Sequence, residues 1–255
     1  GCNFRCGFCQ NWQISQADFK QVNASMGEDY SPVQIVDTAI KSKCKSISYT
    51  YTEPTIFFEL ALDTAKIAKN KGLSNVFVTN GFMSSECLQM IAPYLDAANV
   101  DLKFFNEESY KKICSGRLSA VLDSIRLMHK LGIWVELTTL VIPGENDSQQ
   151  ELDGIAGFIS EVDKNIPWHK SRFHPDYKFR QKTSTPEDSI KMAQGLGKKH
   201  KLNYVYAGNV TGWGSDTYCP ECSKLLIARE GFSVVSNNIK DSKCEFCSYV
   251  IAGRF

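Results

Sequence analysis

Between about residue 32 and residue 207 the chain alternates between two hydrophobic rhythms. Runs of period two, rich in β-branched and aromatic residues, read as strands, and apolar residues spaced three and four apart read as helices. Residues 45–51 (KSISYTY) alternate as a strand. Over 55–71, Ile56, Leu60, Ala61, Thr64, Ile67 and Ala68 fall on one helical face, and Gly72 ends the helix. Residues 75–79 predict a strand, 84–95 a helix and 98–103 a strand. Helical stretches follow near 107–114 and over 118–131, the second stopped by Gly132. Residues 133–142 predict a long strand closed by Pro143 and Gly144. Then come a helix over 149–162, a short strand over 170–173, a helix over 186–200 with Pro near its first turn, and a last strand over 203–207. The fold class is α/β. Repeated βα units of this length predict a parallel sheet, either barrel-like or doubly wound.

The character changes after Gly208. Residues 209–218 are rich in Gly, Asn, Ser and Thr and read as a linker, and 219–255 as a compact cysteine-bearing tail, leaving 1–208 as the main domain. Composition adds exclusions. With 43% hydrophobic and 22% charged residues the chain is ordinary globular protein. A formal charge of +1 gives no global drive toward nucleic acid or anionic membrane. The basic run Lys198-Lys199-His200-Lys201 closes a helix, where cations suit the dipole, so it reads as a solvated face and nucleic acid is not expected. No apolar run is long enough to span a bilayer, and no export signal is visible. Seven of the ten cysteines fall in tight clusters, which predicts a reducing, cytoplasmic compartment. The scattered Cys44, Cys87 and Cys114 are expected to be buried structural thiols.

The first cluster places Cys2, Cys6 and Cys9 at C-x3-C-x2-C spacing with no fourth cysteine nearby. Three thiolates can hold three corners of a [4Fe-4S] cluster and leave one iron open to a reactant. The other reading is a ferredoxin-like or zinc loop completed by a distant cysteine. No strand precedes the loop, so the first barrel strand is expected to be missing. Glu53, Asn80, Lys103, Glu145 and His174 lie at or just past predicted strand ends, where barrels carry their functional residues. In the tail, Cys219 and Cys222, then Cys244 and Cys247, form two C-x2-C knuckles, a spacing suited to a closed tetrahedral Zn2+ site. Rubredoxin-like iron or an auxiliary iron–sulfur cluster remains the alternative there.

The opening loop, with Phe8 just before its third cysteine, resembles the radical SAM superfamily. That resemblance implies a partial (β/α)6-type barrel with a zinc-ribbon-like tail, S-adenosyl-L-methionine (SAM) on the open iron, and Phe8 near the adenine. Thr52-Glu53-Pro54 stands where the superfamily carries a Gly-Gly-Glu-like segment for the SAM amino group, without the glycine pair. Thr79-Asn80-Gly81 and Asp101-Leu102-Lys103 resemble the TNG and DLK of glycyl-radical-enzyme activases, whose polar groups reach the SAM methionine and ribose. Arg172-Phe173-His174-Pro175 would direct His174 toward the cofactor. Over nearly the whole chain, GCNFRCGFCQNWQIS, YTYTEPTIFFELALDTAK, NVFVTNGF, VDLKFF, LVIPGEND, SRFHPDYKF and YCPECSKLLI are similar to AmmeMemoRadiSam-system radical SAM enzymes. The implied activity is reductive cleavage of SAM to a 5′-deoxyadenosyl radical that abstracts hydrogen from a substrate. The implied partners are a flavodoxin- or ferredoxin-type electron donor and Memo-like and Ammecr1-like proteins. Activation of a protein glycine is the alternative within the class, and a non-catalytic zinc-stabilised interaction module the alternative outside it.

Overall fold

The computed structural model describes residues 1–16, 28–231 and 233–254. It divides into two compact units, one of Gly1–Leu102, Asn106–Val135 and Pro175–Gln181, the other of Lys103–Phe105, Glu136–His174 and Lys182–Phe255.

The first unit carries α1 (Trp12–Ser15), α2 (Pro32–Lys41), β1 (Ser46–Tyr49), α3 (Phe58–Asn70), β2 (Ser74–Thr79), α4 (Ser85–Ile91), β3 (Ala97–Asp101), α5 (Glu107–Ser109) and α6 (Leu118–Lys130). Helix α2 has no counterpart among the individually predicted elements. It begins at a capping box in which Ser31 and Gln34 exchange side-chain and backbone hydrogen bonds, with Pro32 at its first position. Its buried Val36 and Ala39 pack on Ala68 and Leu73. β1, β2 and β3 pair in parallel. Fully burying side chains such as Phe77 of β2 and Leu88 of α4 contributes about 1.5–3 kcal/mol each. Asn75 is the polar pin of this unit. Its side chain accepts from the Tyr49 hydroxyl and donates to the carbonyls of Ala65 and Tyr94, so β1, α3 and the turn after α4 meet at one buried amide.

The second unit takes most of β4 (Trp134–Val141), then α7 (Gln149–Val162), β5 (Trp168–Arg172), α8 (Glu187–Lys199) and β6 (Val205–Gly208). β4, β5 and β6 again pair in parallel, and within each unit the strands follow one another in chain order. That sequential order is what repeated βα units give. Along β4 every second residue is buried, Leu137, Thr139 and Val141 among them. The fully buried Trp168 donates its indole NH to Thr139 Oγ1 at 3.0 Å. Lys170, two residues on and on the same face, is also fully buried.

The tail adds β7 (Thr217–Tyr218), β8 (Leu225–Glu230), β9 (Ser233–Asn237), β10 (Ile239–Lys240) and β11 (Lys243–Cys244). β8 and β9 form the antiparallel hairpin between the knuckles. The second half of segment 209–218, expected as linker, joins this sheet: β7 pairs with β8, and Arg229 binds Ser215, Asp216 and Thr217. Of the scattered thiols only Cys114 is buried. Cys44 is exposed because it sits in the polar turn after α2, and Cys87 is half-buried. Among the described residues no helix is long and apolar enough to cross a membrane.

Candidate functional site

The three-cysteine loop is held from two sides within the first unit. Helix α5 runs into a π turn at Tyr110–Cys114, and Ser115 then adopts a left-handed φ of 59°. The last carbonyls of a helix have no partner within it. The carbonyl of Cys114 accepts from the Arg5 NH at 2.8 Å, and that of Ile113 from the Gly7 NH at 3.2 Å. On the other side the Lys178 NH donates to the Gly7 carbonyl at 3.1 Å.

Aromatic side chains fill in beneath these bonds. Phe4 is buried, with Phe82 at 5.3 Å and Tyr110 edge-on at 6.1 Å. Gly116 lets the Phe4 ring in, since a Cβ there would stand 2.3 Å from it. Phe8, expected near the adenine, is buried with the Phe179 ring 6.0 Å away. Trp12 stacks on Tyr177 at 5.1 Å. So anchored, the loop buries Cys6 and leaves Cys2 and Cys9 half-buried. Cys2 Sγ receives the Phe4 NH at 3.4 Å and the Asn80 side-chain amide at 3.6 Å, and Cys9 Sγ lies 3.2 Å from Ser15 Oγ.

Behind the loop, the Glu53 carboxylate is buried. Its Oε1 accepts from the Thr55 NH, the Thr55 hydroxyl and the Thr79 hydroxyl, and its Oε2 accepts from the Asn80 NH at 2.8 Å. Burial pushes its pKa up, and these four donors pull it back. Asn80 passes the linkage on: its amide donates to Asn3 Oδ1 at 2.7 Å, and Asn3 donates to the Phe82 carbonyl. The Thr52 hydroxyl donates to the Gly1 carbonyl. Thus Thr52, Glu53 and Asn80, read from separate strand ends, converge on the cysteine loop. Glu53 is engaged as a clamp on the Thr79-Asn80 turn. Asp101 ends β3, half-exposed.

Lys103 and His174 belong to the second unit. The Lys103 carbonyl accepts from the Asn146 amide at 2.6 Å. That amide also donates to Leu140, while its oxygen accepts from Ile142 NH. Asn146 is fully buried and closes the Pro143-Gly144 turn, a role the quoted LVIPGEND segment contained but did not disclose. Lys182 pairs with Glu145 at 2.6 Å. His174 is exposed. Asn3, Gly116 and Asn146 are the residues missed from sequence.

The tail sulfurs form a separate cluster. Sγ atoms of Cys219, Cys222, Cys244 and Cys247 lie within 4.8 Å of one another, with contacts of 3.6 Å and 3.7 Å. A tetrahedral ion with metal–sulfur bonds of about 2.3 Å sets sulfurs about 3.8 Å apart. The two knuckles repeat one geometry: Ser223 NH returns to the Cys219 carbonyl and Ser248 NH to that of Cys244, both at 2.9 Å, and both serines are left-handed. The site fits a single ion. Among the described residues no other set of three or more donor atoms is drawn so close.

Comparison with known proteins agrees. Residues 1–154 match the radical SAM superfamily. An uncharacterized protein of Methanocaldococcus jannaschii is 43% identical, covering 97% of this chain and 74% of its own. A domain of pyruvate-formate lyase-activating enzyme from Bacteroides vulgatus superposes with a TM-score of 0.57 at 14% identity, over 64% of this chain and 99% of that one. A radical SAM methyltransferase from Sphaerobacter thermophilus gives 0.62 at 14% identity, over 81% and 63%. These likenesses share the fold, and membership implies SAM and a 4Fe–4S cluster as cofactors. With the three-cysteine loop, its clamp and the sequential parallel strands in place, the chain belongs to the radical SAM superfamily and is an enzyme of that class.

Proposed function

We propose that this enzyme cleaves SAM reductively at a cluster held by Cys2, Cys6 and Cys9 and takes a hydrogen atom from a substrate of an AmmeMemoRadiSam-type system, in the cytoplasm, alongside Memo-like and Ammecr1-like proteins. The observation that carries this reading is the continuous path from Cys2 through Asn80 to Glu53. The bound cluster and SAM together supply one-electron chemistry that breaks a sulfonium C–S bond and yields a 5′-deoxyadenosyl radical.

The chain's own residues prepare for it. The π-turn carbonyls and Lys178 fix the loop backbone, the amides of Phe4 and Asn80 hold the Cys2 sulfur in place, and Glu53 sets the turn that presents Asn80. Phe8, Thr52, Asp101, Lys103 and His174 are assigned to SAM on their motif positions. In the tail, Zn2+ on four thiolates would hold the two knuckles together as a closed structural site. The direct test is anaerobic reconstitution and assay for 5′-deoxyadenosine in the presence of candidate partners.

A second reading, activation of a protein glycine, draws on the Thr79-Asn80-Gly81 turn, which the Glu53 clamp makes a built feature. A glycyl-radical EPR doublet on a test protein, with neither partner co-purifying, would favour it.

A further inference from the structure

We propose that the exposed basic face around the cysteine loop, formed by Arg5, Lys111, Lys112, Lys178 and Arg180, is the docking surface for an acidic one-electron carrier protein. This rests on the reading above, in which the loop carries a redox cluster, and it names where the electron enters.

The face is a product of the loop's own anchoring. The carbonyls that receive the Arg5 and Gly7 amides belong to the π turn Tyr110–Cys114, which carries Lys111 and Lys112. The amide that binds Gly7 belongs to Lys178, two residues before Arg180. The segments that seat the cysteines therefore bring four cations beside the loop's own Arg5, and all five are exposed. The chain as a whole is nearly balanced, with 29 basic and 28 acidic residues. Several lysines elsewhere are matched by a carboxylate: Lys66 with Asp63, Lys69 with Asp96, Lys182 with Glu145 and Lys199 with Asp153.

Here they are not. Among the described residues none of the five has a carboxylate within 4.0 Å. Arg5 spends its guanidinium on the carbonyls of Cys2 and Ser15 and on Gln16 Oε1. Lys178 stands over the Tyr177 ring at 5.2 Å, and that ring stacks on Trp12. Two acids in the same segments are turned to backbone, Glu107 to Ser119 NH and Asp176 to Tyr177 NH. Glu108 is the remaining exposed carboxylate.

Unmatched surface charge costs little in water and is expressed when a partner of opposite sign approaches. A redox group seated beside it selects the partner's chemistry. In the transfer itself the carrier loses one electron and the loop-bound cluster gains it; no bond is made or broken and no proton is required. The cations raise the encounter rate and hold the carrier's redox edge against the half-buried Cys2 and Cys9.

The test titrates dye-labelled, oxidised acidic flavodoxin into the anaerobically reconstituted chain and follows fluorescence anisotropy. Lys111→Glu/Lys112→Glu/Arg180→Glu is the variant, and Lys111→Gln/Lys112→Gln its milder counterpart. The control, Lys41→Glu/Lys45→Glu/Lys71→Glu, makes the same charge change; Lys45 and Lys71 precede β1 and β2, opposite the strand ends that carry Thr52 and Asn80. Expected is binding that weakens at least about tenfold from low salt to about 0.2 M, as exposed charges are screened. The triple reversal should lose about tenfold or more, the glutamine pair less, and the control under about twofold. All variants should keep the wild-type rate of dithionite-driven SAM cleavage, because dithionite needs no docking. No flavodoxin binding by wild type at low salt, or equal losses in variant and control, overturns the proposal. If wild type binds as expected but cleaves no SAM with dithionite, the enzyme reading fails while the docking surface stands.

Discussion

Glu53 Oε2 accepts the backbone NH of Asn80 at 2.8 Å, and both residues are buried. The contact joins the segment after β1 to the segment after β2, and Asn80 carries it to Cys2 and Asn3. In Glu53→Gln the amide nitrogen must replace one of two acceptor oxygens, leaving a buried donor unmatched at a cost of about 1–3 kcal/mol. We expect a lower midpoint of thermal unfolding and SAM binding weakened about tenfold by equilibrium dialysis. Unchanged stability and affinity would show that the clamp is idle.

Gly116→Ala tests how the loop is seated. The added Cβ would lie 2.3 Å from the Phe4 ring, so the ring and the attached cysteines must move. Overpacking of this kind costs about 1–3 kcal/mol, too little to unfold a domain of this size. Iron retained after anaerobic reconstitution should fall well below wild type while the far-UV circular dichroism stays constant. Full retention of iron would contradict the proposed seating.

Lys170 is fully buried, its Nζ has no hydrogen-bond partner among the described residues, and burial, with the charge of Lys198 adding to it, lowers its pKa to about 7. An unfolded lysine titrates near 10.5. Between those values the unfolded chain holds a proton that the folded chain lacks, so stability rises with pH across the window; below about 7 both forms are protonated and the penalty is constant. Lys170→Met should therefore stabilise at pH 7 by about 1–4 kcal/mol, with the gain shrinking toward pH 10. Denaturant unfolding of both proteins at several pH values measures it, and a pH-independent difference would refute the assignment.

How much of this could be read from sequence depends on the range of the interaction. The alternation of β4 and the spacing of the cysteines are local patterns, and both survive folding unchanged. Glu53 and Asn80 were marked by their strand-end positions, but not the bond between them, which spans 27 residues. The hold of 110–114 and 178 on the loop leaves no periodic trace, since it rests on backbone groups that every residue carries. Helix α2 had a signal, the Ser31-Pro32 start with Gln34 three residues after the cap. Arg229 explains the linker: its partners Ser215 to Thr217 look like loop residues because their bonds come from a strand downstream.

The tail sulfurs predict one tightly bound ion per chain. Four thiols within 4.8 Å cannot all ionise unless a cation sits among them. Metal analysis should give about one equivalent, released by chelator below about pH 5 as protons compete for sulfur. Cys222→Ser should lose it and expose the cluster of Tyr204, Leu226 and Ile251 to proteolysis. A metal-free tail with unchanged protease resistance would contradict a structural site.

The most direct measurement is 5′-deoxyadenosine formed from SAM and dithionite by the anaerobically reconstituted protein, beside single alanine variants of Cys2, Cys6 and Cys9. Production by the wild type and its loss in all three variants is the expected result. A wild-type protein that holds four irons and SAM yet makes no 5′-deoxyadenosine, or a variant that makes as much, would contradict it.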